Sequence, residues 1–226
     1  MAGISICAVA DIHGDVGLSR LIAGRANERC DVLVVAGDLA PWGDWRKGVD
    51  AYAALSKFSG DIVVVLGNSD PPELLEGLRA FSQTVVLLED STVISGVAFA
   101  GVSGASPEKS PSLYPVSESE LYERLKLAYL EALRRNPEVV VTISHVPPYG
   151  VLDRARTGQS IGSEGIRRFV EEMGPTVHIC GHVHEAAGVA KLGSTLVVNA
   201  STYERRSMFI VKLGEGRLEV VEEKLG

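Results

Sequence analysis

Three continuous β-branched apolar runs, at residues 4–10, 32–36 and 62–66, most constrain what this chain can fold into. A strand with one wet face alternates apolar and polar residues, whereas a strand covered on both faces does not. Amphipathic stretches at about 18–28 and about 49–58 separate the runs. Strand, helix, strand, helix, strand in that order specifies parallel strands joined by right-handed crossovers, with helices against the sheet. A third helix is expected to start at Pro72, because proline suits a first helical turn.

Shorter strands are expected near 85–88, 92–94 and 97–102. Residues 103–117 are rich in Ser and Pro and read as a loop. Residues 118–135 form a strongly amphipathic helix that stops before Pro137. A strand at 139–144, a polar loop at 147–162, a helix at 163–173 with Ser163 as its N-cap, and a strand at 177–180 follow. The remainder reads as strands at 188–191, 196–198, 208–213 and 218–221, with Gly193-Ser194 and Gly214-Glu215-Gly216 as hairpin turns. Neither repeats nor a linker divide the 226 residues. The expectation is one domain over 1–226, with two packed sheets, helices outside, and an inserted loop-helix at about 103–135.

With 46% hydrophobic residues the chain can bury a full core. A net charge of −7 argues against a nucleic-acid binder. The doublets Arg134-Arg135, Arg167-Arg168 and Arg205-Arg206 read as solvated faces. Cys7, Cys30 and Cys180 are odd in number, scattered, and form no CxxC pair. They predict neither a disulfide framework nor a structural zinc site, and suit a reducing compartment, with Cys7 and Cys180 in the core. No apolar segment approaches the ~20 residues of a membrane span. Met1-Ala2-Gly3 lacks the charged start of a signal peptide. A cytoplasmic protein is expected.

Five apolar runs end in short polar motifs: Asp11-Ile12-His13, Gly37-Asp38, Gly67-Asn68, Ser144-His145-Val146 and Gly181-His182-Val183-His184. In an open α/β sheet, ligands bind at the carboxyl ends of strands. Asp11 and His13, two apart, share one face of an extended chain, and Gly14 then permits a tight turn. Asp38 offers a carboxylate that can bridge two cations. Asn68 is a neutral oxygen ligand. His145 precedes Pro147-Pro148, which fix the exit of the chain. Two imidazoles at i and i+2 in Gly181–His184 are the strongest single element. His178, inside its strand, reads as structural. Seven N and O donors at five strand ends are what two divalent metals need when one carboxylate bridges them, which points to hydrolysis of phosphate esters. Manganese is the first choice, and iron, zinc, nickel and cobalt suit the same donors.

The order DxH, GD, GN, H, GHxH resembles the calcineurin-like metallophosphoesterase superfamily over nearly the whole chain. Ser144–Pro148, Gly162-Ser163 and Gly181–Glu185 look most like its small prokaryotic branch, often called Icc-like phosphoesterases. Asn199-Ala200-Ser201 looks like a variant of that branch's strand-end Asn-Pro-Gly. The resemblance implies a four-layer α/β/β/α sandwich of two mixed sheets flanked by helices. It also implies that Asp11, His13, Asp38 and His184 hold one metal, and Asp38, Asn68, His145 and His182 the other. A metal-bridging hydroxide would then attack phosphorus in line.

One position departs from the family. Its phosphatases carry histidine after Gly-Asn, where this chain has Ser69 and then Asp70. Serine is a poor general acid near neutral pH. Asp70 is read either as the proton donor or as a hydrogen-bond acceptor behind the ligands, and slow turnover of poor leaving groups is expected. Arg154 or Arg156, in the loop that leaves His145, is a candidate phosphate clamp. A histidine common in the branch is absent where Gln159 and Ser160 stand. The expected substrate is a small-molecule or nucleotide-like phosphate ester. A homo-oligomer through the helix at 118–135 stays open, and a membrane or nucleic-acid partner is not expected. The competing readings are a non-catalytic scaffold of the same fold, which predicts missing ligands, and a protein phosphatase or nuclease of the superfamily.

Overall fold

The computed structural model describes residues 3–214 and 216–226. Met1 and Ala2 of the chain start, and Glu215 of the last expected turn, lie outside the described residues. The first sheet contains β1 (Ile4–Val9), β2 (Val32–Ala36), β3 (Asp61–Val65), β4 (Thr84–Val86), β11 (Ser207–Gly214) and β12 (Arg217–Lys224), in the order β12-β11-β1-β2-β3-β4. β1 to β4 run parallel, while β11 and β12 are antiparallel additions at one side. The second sheet contains β5 (Ser91–Ile94), β6 (Val97–Val102), β7 (Val139–Ser144), β8 (Val177–Cys180), β9 (Gly188–Leu192) and β10 (Thr195–Asn199), in the order β5-β6-β7-β8-β10-β9. β6, β7, β8 and β10 are its parallel centre.

The continuous apolar runs have the predicted cause. Ile6, Val34 and Val63 point inward and meet Phe99, Ile143 and Ile179 of the other sheet. Their neighbours Cys7, Leu33 and Ile62 point outward, into α1 (Val16–Arg29), α2 (Trp45–Leu55) and α3 (Glu73–Leu78). α4 (Glu118–Arg134) and α5 (Glu164–Met173) cover the second sheet through Leu121, Leu125, Ile166 and Phe169. The result is the four-layer α/β/β/α arrangement. The stretch read as an insertion therefore supplies half of an outer helical layer. Its helix starts at a reciprocal capping box between Ser117 and Glu120, and Ser163 caps α5 as expected. Among the described residues, no helix is long and apolar enough to cross a membrane.

The expectation about cysteines is overturned at one pair. Cys7 and Cys30 form a disulfide. Cys7 leaves the sheet toward α1, and Cys30 ends α1 as the chain returns to β2, which brings the two Cα atoms to 5.7 Å, within bonding range. Only the folded crossover creates that approach, so 23 residues of separation and no CxxC gave no sign of it. Cys180 is free and buried, as expected. The arginine doublets are solvated faces. Arg135, Arg167, Arg168, Arg205 and Arg206 each pair with a carboxylate.

Candidate metal centre

The exits of β1 and β2 are laced together before any side chain is considered. Asp11 N–H donates to Gly37 C=O, Ile12 and His13 both donate to Asp38 C=O, and Gly14 donates to Leu39 C=O at 2.8 Å. The second sheet joins them. Gly181 N–H donates to His145 C=O, and Thr202 N–H donates to Ala10 C=O. Asp11, His13, Asp38 and His182 all have positive φ, between 49° and 71°. Each non-glycine residue in that region carries backbone strain, which surrounding structure must sustain and which clusters at functional sites. The two glycines that precede ligands in the first sheet have a steric reason. A Cβ on Gly37 would lie 2.5 Å from His145 Nδ1, and one on Gly67 would meet the Asp38 carboxylate.

All seven predicted residues converge. His145 Nδ1 lies 2.9 Å from Ala36 C=O. A carbonyl only accepts, so Nδ1 carries a proton and Nε2 is the nitrogen turned into the site. That Nε2 is 2.9 Å from Asn68 Oδ1, 3.2 Å from His182 Nδ1 and 3.4 Å from Asp38 Oδ1. On the other side, His13 Nε2 is 3.2 Å from His184 Nε2 and 3.9 Å from Asp38 Oδ2, and His184 Nε2 is 3.5 Å from Asp11 Oδ1. The two oxygens of Asp38 thus face opposite groups of nitrogens. Asp11, His13 and His184 could hold a cation, and so could Asp11, Asp38 and His145.

Charge makes the same point. Asp11 and Asp38 are buried, and among the described residues neither pairs with lysine or arginine; the basic groups within reach of them are imidazoles. A buried carboxylate is costly unless a cation offsets it. Burial works against charge on Asp11, yet a hydrogen bond to His184 and the nearby imidazoles hold its carboxyl far below the usual range. Burial likewise opposes charge on His145 and His184, but the carboxylates outweigh it and raise both. His182 goes the other way, down to about 4, through burial and the neighbouring His145. The carboxylates therefore draw positive charge into the site, which is what divalent ions supply. The donor set and the fixed tautomer of His145 both fit such ions.

Asp70 takes the second of its two readings, that of a hydrogen-bond acceptor. It is fully buried and accepts from the backbone N–H groups of Leu39, Ala40 and Gly67 at 3.3, 2.7 and 2.8 Å. Burial and the charge of Asp38 push its carboxyl up to about 7. Both oxygens face backbone, so it clamps the exits of β2 and β3 and offers no proton to the cleft. Ser69 is also engaged, donating its hydroxyl to Ala40 C=O and its N–H to Asp38 Oδ1. The arginine expectation fares no better. Arg156 is turned into an ion pair with Glu204, and Arg154 lines a separate hollow beside Glu185 and Arg205. The loop at 103–117 does reach the site, where Leu113 N–H donates to Asn68 C=O at 2.8 Å.

Two positioning residues were within reach of the sequence. Ser201 donates its hydroxyl to Asp11 Oδ2. Asn199 donates to Val183 C=O and Leu152 C=O, tying down the segment between His182 and His184. Their signal was the strand-end Asn199-Ala200-Ser201. His178 is structural as expected. It lies between Thr142 and Ser144, with ring nitrogens 2.9 and 3.0 Å from their hydroxyls.

The family model described as calcineurin-like phosphoesterase matches residues 4–186. An uncharacterized protein of Methanocaldococcus jannaschii is 29% identical over 207 residues, covering 88% of each chain. The crystal structure of TT1561 of Thermus thermophilus matches with a TM-score of 0.76 at 18% identity, over 99% of both chains. A dimetal phosphatase from Danio rerio matches with a TM-score of 0.71 at 14% identity, over 99% of this chain and 96% of that one. At such identities the two structures speak for the fold alone, but the family match spans well over half the sequence. With a candidate metal-ligand set at the carboxyl ends of its strands, this chain belongs to the calcineurin-like phosphoesterase family.

Proposed function

We propose that this protein is a dinuclear metal-dependent phosphoesterase acting on phosphate mono- or diesters of small-molecule or nucleotide-like compounds. The observation that carries the reading is the pair of buried carboxylates without lysine or arginine, met by imidazole nitrogens crowded to 3.2 Å in two separate groups. Asp11, His13, His184 and Asp38 would hold one ion; Asp38, Asn68, His145 and His182 the other. Bound there, two divalent ions would supply an activated water for in-line attack and offset charge on the phosphoryl oxygens. Manganese is the first choice.

The chain's own groups set the rest. Asp38 presents one oxygen to each half. Asn68 adds an oxygen without charge, so two aspartates leave a net positive centre for an anionic ester. Asp70 and Ser69 hold the backbone beneath the ligands. Among the described residues, no carboxyl or imidazole beyond the ligands lines the cleft. The leaving group therefore departs as an anion or takes its proton from water. Turnover of poor leaving groups should lack the ~10²–10⁴-fold that a general acid contributes.

The test is hydrolysis of bis-p-nitrophenyl phosphate by metal-stripped protein, with and without Mn²⁺, beside Asp38→Asn. Activity that needs the metal and disappears in the variant supports the reading. Folded protein that stays inactive with every divalent metal tried would move it to a non-catalytic scaffold.

A further inference from the structure

The cleft over the centre holds about 360 Å³, room for a phosphoryl group and one small organic group. Beyond the ligands its walls are Pro41, Trp42 and Ser69. The Trp42 indole is 55% exposed, and a large exposed apolar surface at a concave site is the informative kind. The backbone on both sides of Trp42 is held in place. The Gly14 backbone packs against the Pro41 ring, and Gly43 N–H donates to Ser69 C=O at 3.1 Å. On the other flank, the half-exposed Tyr203 stands edge-on to His13, with ring centres 5.6 Å apart, and 5.8 Å from His184. Trp42 thus lines the cleft, and Tyr203 stands beside the His13–His184 side of the centre.

No lysine or arginine lines this cleft among the described residues. Of the cations in the flanking segments, Lys47 pairs with Asp44, Arg156 with Glu204 and Arg206 with Asp15, while Arg46 lies over the Trp45 ring. Nothing here would neutralise a second phosphate. Recognition outside the phosphoryl group therefore falls to planar apolar surface.

We propose that Trp42 and Tyr203 are specificity-determining residues that seat a planar aromatic group of the substrate, an aryl ring or a nucleobase, in preference to a sugar phosphate or a polyphosphate. The proposal rests on the phosphoesterase reading and names its substrate class. Aromatic stacking of this kind is sequence- and ring-tolerant and is lost on truncation to alanine.

The experiment is calorimetric titration of the metal-loaded protein with thymidine 5′-phosphate, phenyl phosphate, ribose 5-phosphate and inorganic phosphate. The proposal expects the first two to bind about tenfold tighter than the last two, with Trp42→Ala and Tyr203→Ala reducing that preference and Trp42→Phe retaining it. Thymidine against phenyl phosphate separates base from aryl recognition. Inorganic phosphate reports on the centre itself. If all four ligands bind alike, or if Trp42→Ala weakens all four alike, the proposal is overturned while the centre stands. If none binds while Mn²⁺-dependent hydrolysis of bis-p-nitrophenyl phosphate persists, the proposal alone is overturned; if that hydrolysis is absent too, the phosphoesterase reading fails and takes the proposal with it. A kinetic counterpart is the kcat/KM ratio between bis-p-nitrophenyl phosphate and methyl p-nitrophenyl phosphate. The leaving group is the same, and the ratio should fall in Trp42→Ala.

Discussion

The two halves of the centre use similar donors at different depths. His145 has no exposed side-chain surface, its tautomer is fixed by Ala36, and Gly37 packs directly on its ring. His13 and His184 keep 22% and 25% of their side chains exposed and touch Tyr203 at the mouth of the site. One half is buried and held by backbone, while the other opens to solvent. Depth and a carbonyl partner raise a ligand's precision, so the buried half should hold its ion more tightly, and the open half should exchange more readily.

The largest effect should come from the residue that serves both halves. Asp38→Asn is expected to lower kcat by about 10²–10³-fold or more, read with bis-p-nitrophenyl phosphate at saturating metal. A fall below tenfold would show that the halves do not share it. Next, Gly37→Ala forces a methyl group onto His145. Metal affinity should drop in the buried half, and stability by roughly 1–3 kcal/mol, checked by metal titration and denaturant melts. Ser201→Ala removes the hydroxyl on Asp11 and so acts on the open half. It should cost about 10–100-fold in metal affinity or activity with little change in melting. Asp70→Asn turns an acceptor into a donor against three backbone N–H groups. It should slow good and poor leaving groups equally, and a selective loss on poor ones would restore Asp70 as a proton donor.

An effect on stability alone lies beneath the buried half. Burial lowers His178 to about 3 from its ordinary 6.5. Between those values the unfolded chain binds a proton that the native chain does not, so stability is full above pH 6.5 and declines as pH falls toward 3. The slope is roughly 1.4 kcal/mol per pH unit for this one group. Urea melts at pH 7, 6, 5 and 4 should show stability falling more steeply toward acid in the wild type than in His178→Gln, by that slope. Equal slopes in both would remove His178 from the account.

How much of this was legible in the sequence differs by the kind of contact involved. β1, β2 and β3 were readable because burial on both faces leaves an unbroken β-branched run. The seven donors were readable because each terminates such a run. α2 starts at Trp45, four residues before the expected start, because Asp44 caps it by accepting from Lys47 N–H. Gly48, poor in helix propensity, hid that turn and is there because Ala40 and Leu74 pack against it. β12 continues to Lys224 through Glu219, Glu222 and Glu223, an edge strand whose charges mask its pattern. The Cys7–Cys30 bond, the engagement of Asp70 with backbone, and the pairing of Arg156 with Glu204 depend on contacts between distant segments, which periodicity does not report. Trp42 and Tyr203 escaped notice for the same reason, since exposure at a cleft is a property of the fold.

The central claim is a two-ion centre with one deep and one open half. Calorimetric titration of metal-stripped protein with Mn²⁺, together with metal content after dialysis, tests it most directly. The account predicts two ions per chain in two distinguishable steps, the weaker step lost in His13→Ala and the tighter one in His145→Ala. A single step of one ion, or no binding by folded protein, would contradict it.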